Sequence, residues 1–327
     1  MGWKDHLKSL KQEFETMMAD PSEKKNDQQP QQLQHAQAQG QAPLQSQQEE
    51  YQAPPYPPPP PIPASQIYWQ PQFRPEIPTN VEWDAKLGNG PDGWGNQELQ
   101  HYTADPANSF HTQDGRLVVR ALANSGAPTP EQRYTSARLV SRETLGYDRG
   151  VLTAVILSPS AEGIWPAFWL LPKEPFSWPT DGEVDIAESY NGDRQNKSCL
   201  HWGFHHEPQK HRVLATPIPD MGARNVRYDF VWDQPGGQAG QGRMVWYVDG
   251  RAVMKHNVPE GTRPLREMTI LLNVAMGGNV CQGKIPADGY YDMVVQSLFT
   301  ASDPDQGGWQ RFEADWHNSN TPLGNTY

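Results

Sequence analysis

Glu183-Val184-Asp185-Ile186-Ala187-Glu188 sets three carboxylates inside a run that otherwise reads as a buried strand. Val184 and Ile186 favour extended backbone, and the two-residue period sends Glu183 and Asp185 to one face while nominally sending Glu188 to the other. A β-bulge at Ile186 or Ala187 would turn Glu188 back, the kind of re-aiming that bulges perform beside active sites. All three acids would then line one cleft. The same spacing also fits an acidic edge strand with its charges in solvent, since three acids at this interval recur by chance.

The chemistry that uses such a trio is glycoside hydrolysis with retention, in which a carboxylate nucleophile and a carboxylic acid/base sit about 5–5.5 Å apart across the scissile bond. A third acid between them can adjust both. Asp185, ionised or sharing a proton with Glu183, would disfavour a further negative charge nearby and keep one partner protonated near neutral pH.

The flanking sequence suits a sugar-binding cleft. In Gly163-Ile164-Trp165-Pro166-Ala167-Phe168-Trp169-Leu170-Leu171-Pro172, alternation puts Trp165 and Trp169 on one face of an extended segment. Sugar rings stack on such indoles, although tryptophans in apolar runs also serve as core. Gly93-Trp94-Gly95-Asn96-Gln97-Glu98-Leu99-Gln100-His101-Tyr102 interleaves amides and rings around glycines. Such a segment fits a surface that bonds sugar hydroxyls, or a turn with a few buried polar caps.

With these segments the chain resembles glycoside hydrolase family 16. The acids have the ExDxxE form and follow Trp165–Leu170, while Trp94–Tyr102 is similar to a WGNxELQxY segment. Tyr134–Arg138 matches YTSAR, Val245–Gly250 holds WYVDG, and Leu272–Asn279 matches LNxAxGGN, all in the family's order. The likeness runs roughly from Trp69 to Phe299. The ExDxxE form and the WGNxELQ segment point to the laminarinase-like branch, which acts on β-1,3-linked glucans, rather than to the xyloglucan branch, which lacks the extra residue.

The resemblance implies that Glu183 is the nucleophile, Asp185 its helper and Glu188 the acid/base. It places Asn96, Arg138, Trp165, Trp169 and Trp178 at glucan contacts. His201, in Leu200-His201-Trp202-Gly203, stands where the family has HYG or HWG and would face the cleft from a neighbouring strand, in alternation with Gly203 and His205. Arg138 is also suited to a structural ion pair, and Trp178 to a lid over the core. No cofactor or catalytic metal is expected, because two carboxylates suffice. His205, His206 and His211 match no zinc spacing. Many relatives carry a structural calcium through an aspartate in the last strand, but this chain reads Met293-Val294-Val295-Gln296-Ser297-Leu298-Phe299, and neutral Gln296 puts that ion in doubt.

Composition divides the chain into three. Trp3, Leu7, Leu10, Phe14 and Met17 form a helical stripe, so residues 1–19 are expected as a short amphipathic helix that docks on the domain or binds a protein partner or membrane surface. Residues 20–66, rich in Gln and Pro, have too few apolar groups to offset ordering entropy and are expected as a disordered linker ending in polyproline II. Residues 67–327 are expected as one catalytic domain. In it, 117–122, 151–157, 226–232, 244–248 and 269–274 read as strands separated by Gly, Pro and Asp turns. No long helical periodicity follows residue 20. This all-β pattern suggests an antiparallel two-sheet sandwich, a concanavalin A-like jelly roll by resemblance.

The charge of −11, with no basic stripe, argues against nucleic acid and leaves a neutral polysaccharide unaffected. No secretory signal or membrane span is visible, so a cytoplasmic site or unconventional export is expected. A monomer is expected. Cys199 and Cys281 fit two reduced thiols better than a disulfide. Three readings therefore stand: an endo-acting β-1,3(4)-glucanase working through a glycosyl-enzyme, a transglycosylase on cell-wall glucan using the same residues, and a non-catalytic glucan-binding protein. The last typically lacks one or both glutamates, and both are present here.

Overall fold

The computed structural model describes residues 65–326 apart from 205, 206, 208, 239 and 306. The expected N-terminal helix and all but the last two residues of the expected linker lie outside the described residues, as do His205 and His206.

Two sheets pack face to face. One has seven strands in the spatial order His211–Pro217, Gln195–His201, Glu183–Glu188, Ile164–Pro172, Met268–Met276, Arg138–Thr144 and Trp83–Lys86, all antiparallel. The other has ten, built around Arg243–Val248, Val226–Asp233, Arg149–Leu157, Gly289–Ala301 and Leu117–Ala123. All five segments read as strands from their apolar pattern fall on strands, and the two-sheet all-β sandwich is the architecture observed.

Period-two alternation explains the layering. From the seven-stranded sheet, Phe168, Leu170, Val184, Ile186, Leu272 and Val274 point inward to meet Val119, Leu152, Ala154, Phe230, Trp246 and Val295 of the other sheet. Burying each larger side chain of this kind stabilises the fold by about 1.5–3 kcal/mol relative to exposure. The residues between them, including Trp165, Trp169, Asp185 and Asn273, are thereby turned to the opposite face of the seven-stranded sheet. That face carries the cleft.

A short α-helix, Gly308–His317, follows the strands. It lays Phe312, Trp309 and Trp316 over an outer cluster of Val151, Val231, Val245, Tyr247 and Ala301 on the ten-stranded sheet, and Arg243 clasps Glu313 at 2.7 Å. The helix is short and depends on that sheet for its apolar face, which is why it is faint in the sequence. One expectation needs correction: the alternation expected through His201 and Gly203 fails, because the strand ends at His201 and Gly203 takes φ +67° in a turn. Only Gly203's missing Cβ makes that conformation easy.

Cys199 and Cys281 are both buried and unpaired with each other. Among the described residues no helix is long and apolar enough to cross a membrane. Gln296 is exposed beside a register shift between Val295 and Ser297.

Candidate active site

The strand Glu183–Glu188 lies between Gln195–His201 and Ile164–Pro172. Against the former, Glu183 faces His201, Asp185 faces Cys199 and Glu188 faces Lys197, so the six residues from 183 to 188 lie opposite five of the partner. Against the latter, the register slips between Asp185 and Ala187. The extra residue is a bulge at Ile186, which places the three acids on alternate rungs of one face. Val184, Ile186 and Ala187 sit together in the core.

Buried polar groups hold the bulge. Asn196 Nδ2 donates to the Ile186 carbonyl at 3.2 Å, and Trp246 Nε1 donates to the Asp185 carbonyl at 3.0 Å. A bulge leaves backbone groups without ladder partners, and unmet carbonyls in a core are costly. Asn196→Ala is therefore expected to lower stability by about 1–3 kcal/mol and to reduce turnover as Glu188 loosens. Urea unfolding beside a reducing-sugar assay checks this, and a variant as stable and as active as its parent would refute the role.

Indole and phenol donors cover the outer acids. Trp178 Nε1 donates to Glu183 Oε2 at 2.7 Å. Trp165 Nε1 donates to Glu188 Oε1 at 2.9 Å, and the Tyr190 hydroxyl donates to Glu188 Oε2 at 3.1 Å. Asp185 is almost wholly buried between them, with Oδ2 3.3 Å from His201 Nε2. Burial pushes all three carboxyls above the usual range, and the Asp185 charge pushes both glutamates further. A side-chain hydrogen bond with Glu183 moderates the rise at Asp185. Three negative charges cannot coexist so closely, so the trio retains protons near neutrality. The field treats Glu183 and Glu188 alike and does not by itself say which is acid and which is nucleophile.

The same crowding brings oxygen, sulfur and nitrogen atoms of Asp185, Cys199 and His201 within 4.8 Å of one another. Burial first, and then the three carboxylates, drive the Cys199 thiol up so that it stays protonated.

Further along the face, Arg138 stacks between Trp94 and Trp169, its guanidinium carbon 4.7 Å from each ring centroid. Among the described residues it joins no ion pair, which removes the structural ion-pair reading. Trp169 Nε1 donates to Asn273 Oδ1 at 2.7 Å, and Asn273 Nδ2 donates to the Tyr102 hydroxyl at 3.1 Å. Asn96 is half-buried and its amide donates to Glu98 Oε1 at 3.2 Å, while Gln100 Nε2 donates to Glu98 Oε2 at 2.5 Å. Burial pushes Glu98 up to about 7. The 93–102 segment thus contains the buried polar caps that its sequence allowed, with Asn96 at their edge. Trp178 is about half exposed and overhangs Glu183 rather than the core.

The structure therefore gathers Trp165, Trp178 and His201 directly around the acids, with Trp169 and Arg138 beyond them and Asn96 further off in the capped turn. Sequence reasoning passed over Tyr190, Lys197, Asn273 and Tyr102. Lys197 and Cys199 were within reach: the alternation sought forward from His201 runs backward from it instead.

Known proteins similar to this chain point to one family. The model of an XgeA-like, catalytic GH16 domain matches residues 98–218. The chain is 30% identical over 220 residues to a glucan endo-1,3-beta-glucosidase of Cryptopygus antarcticus, covering 62% of this chain and 77% of the relative. It is 27% identical to glucan endo-1,3-beta-glucosidase A1 of Niallia circulans over 69% of this chain, but spans only 36% of that relative's length. Among solved structures, the laminarinase of Rhodothermus marinus superposes with a TM-score of 0.60 at 27% identity, over 73% of this chain and 98% of the other.

Proposed function

This chain belongs to glycoside hydrolase family 16, and from that membership we propose that it cleaves β-1,3 or mixed β-1,3/1,4 glucan internally, with retention of configuration. One observation carries the reading: Glu183, Asp185 and Glu188 occupy alternate rungs of one cleft face, each outer acid held by an indole N–H.

In the first half-reaction Glu183 attacks the anomeric carbon as Glu188 gives its proton to the departing glycosidic oxygen, leaving a glucosyl ester on Glu183. Glu188, now ionised, takes a proton from water, whose oxygen displaces Glu183 and restores both groups. Trp178 fixes one oxygen of Glu183 and favours its charged form. The negative charge of Asp185 raises the proton affinity of Glu188, so that it keeps its proton for this step. Trp165 and Trp169 present rings suited to glucosyl units, and Arg138 brings N–H donors suited to sugar hydroxyls.

Asp185→Asn tests the electrostatics. Removing that negative charge lets both glutamates ionise more readily, so both limbs of the kcat/KM profile are expected to move to lower pH by roughly one unit. A profile unchanged in position removes the modulating role. Product profiles on laminarin and lichenan establish the linkage, and absence of products from both glucans would defeat the assignment.

A further inference from the structure

We propose that Lys197, acting with Tyr190, is a positioning residue that steadies Glu188 in its ionised form during the second half-reaction. This rests on the family reading above and adds to it a pair of residues that the reading does not require.

Lys197 shares the rung of Glu188 on the adjacent strand, and alternation turns it, with Cys199 and His201, to the cleft face. It is only 5% exposed. A lysine so deep in a protein is rare unless paired, and an apolar chain of equal length would satisfy packing alone. Its ammonium pairs with Asp193 and lies 4.7 Å from the centroid of the Tyr190 ring. Asp193 is itself anchored, accepting from the Gln195 amide at 3.2 Å. The Tyr190 hydroxyl then donates to Glu188 Oε2 at 3.1 Å, opposite Trp165 on Oε1. A cation, a ring and a hydroxyl thus run in sequence to one oxygen of the acid/base. Burial lowers Lys197 to about 8 while the Glu188 charge raises it, which links the two groups electrostatically.

Around Glu188 stand Glu183 and Asp185 on its own strand, Trp165 on one neighbour, Lys197, Cys199 and His201 on the other, and Tyr190 and Asp193 in the following turn. Before reaction the charges of Asp185 and Glu183 oppose ionisation of Glu188. Once Glu183 is esterified its charge is gone, and the cation and the hydroxyl then favour the anion that must deprotonate water.

The test is the pH dependence of kcat and kcat/KM on laminarin for the unmodified protein, Lys197→Met and Tyr190→Phe, with circular dichroism and melting curves to check folding. The alkaline limb of kcat/KM, which reports loss of the proton from Glu188, is expected to rise by about one pH unit in Lys197→Met and by less in Tyr190→Phe, the acid limb staying in place. Both kcat and KM are expected to fall together, kcat by roughly tenfold, as glycosyl-enzyme accumulates. Should Lys197→Met fail to fold, Tyr190→Phe decides, since it removes a single hydroxyl. Folded variants with the parent's alkaline limb and parent's kcat overturn the proposal while leaving the hydrolase reading intact. An unmodified protein that yields no product from laminarin sinks both.

Discussion

Glu183→Gln is expected to abolish release of reducing ends from laminarin, by at least ~10⁴-fold, while the protein stays folded. An amide cannot form the glucosyl ester, and the remaining groups only bind and orient. The side chain keeps its shape and can still accept from the indole of Trp178, now through its amide oxygen. The same substitution should make the fold more resistant to heat at alkaline pH. Glu183, Asp185 and Glu188 are all raised by burial above the range of an unfolded chain. Their contribution to stability is therefore fully present below about pH 4, near the unfolded carboxylate value, and is lost as pH climbs through the raised folded values. Replacing one ionisable group by a neutral one relieves that loss by an amount on the order of 1 kcal/mol at pH 8. Activity measured with melting curves at pH 5 and pH 8 checks both parts. Residual hydrolysis near the parent's rate would remove Glu183 from the chemistry.

Glu188→Ala tests the partner role through a different signature. Rates on laminarin are expected to drop by about 10²–10⁴, because the departing sugar oxygen no longer receives a proton. An aryl laminaribioside with an acidic phenol needs no such help, so it should release its phenol in a burst and then stall at the glycosyl-enzyme. Azide, a nucleophile that requires no general base, should restart turnover and yield a β-glycosyl azide. A burst absent from Glu188→Ala, together with indifference to azide, would falsify the assignment of Glu188 as acid/base.

The sequence already carried the sandwich, because its strands alternate cleanly and their apolar members converge on a single core. It also carried the bulge: with Glu183 and Asp185 two apart and Glu188 three further on, one extra residue is the simplest way to a common face. What it did not carry depends on register between strands distant in the chain. Arg138 stacks on Trp169 across a sheet and on Trp94 across a turn, and nothing local to Tyr134–Arg138 announces either ring. Lys197 meets Glu188 only because the bulge moves the pairing by one residue; an unbulged ladder would set a different side chain beside the acid. The helix Gly308–His317 was hidden for a similar reason. Its spacing of Trp309, Phe312 and Trp316 is visible, but ten residues are too few to argue for a helix until the outer sheet supplies the surface they cover.

Val184, Ile186 and Ala187 are seated in the core while the acids between and beside them face the substrate groove. A single ribbon six residues long is thus at once the floor of the reaction chamber and a wall of the interior. Drift in how that interior fills, even by one methylene, reaches the reacting carboxyls through the backbone they share. Adaptation to heat or cold has little freedom there and would be accommodated more readily on the far side of the molecule, where the helix Gly308–His317 rests on the ten-stranded sheet out of touch with the acids.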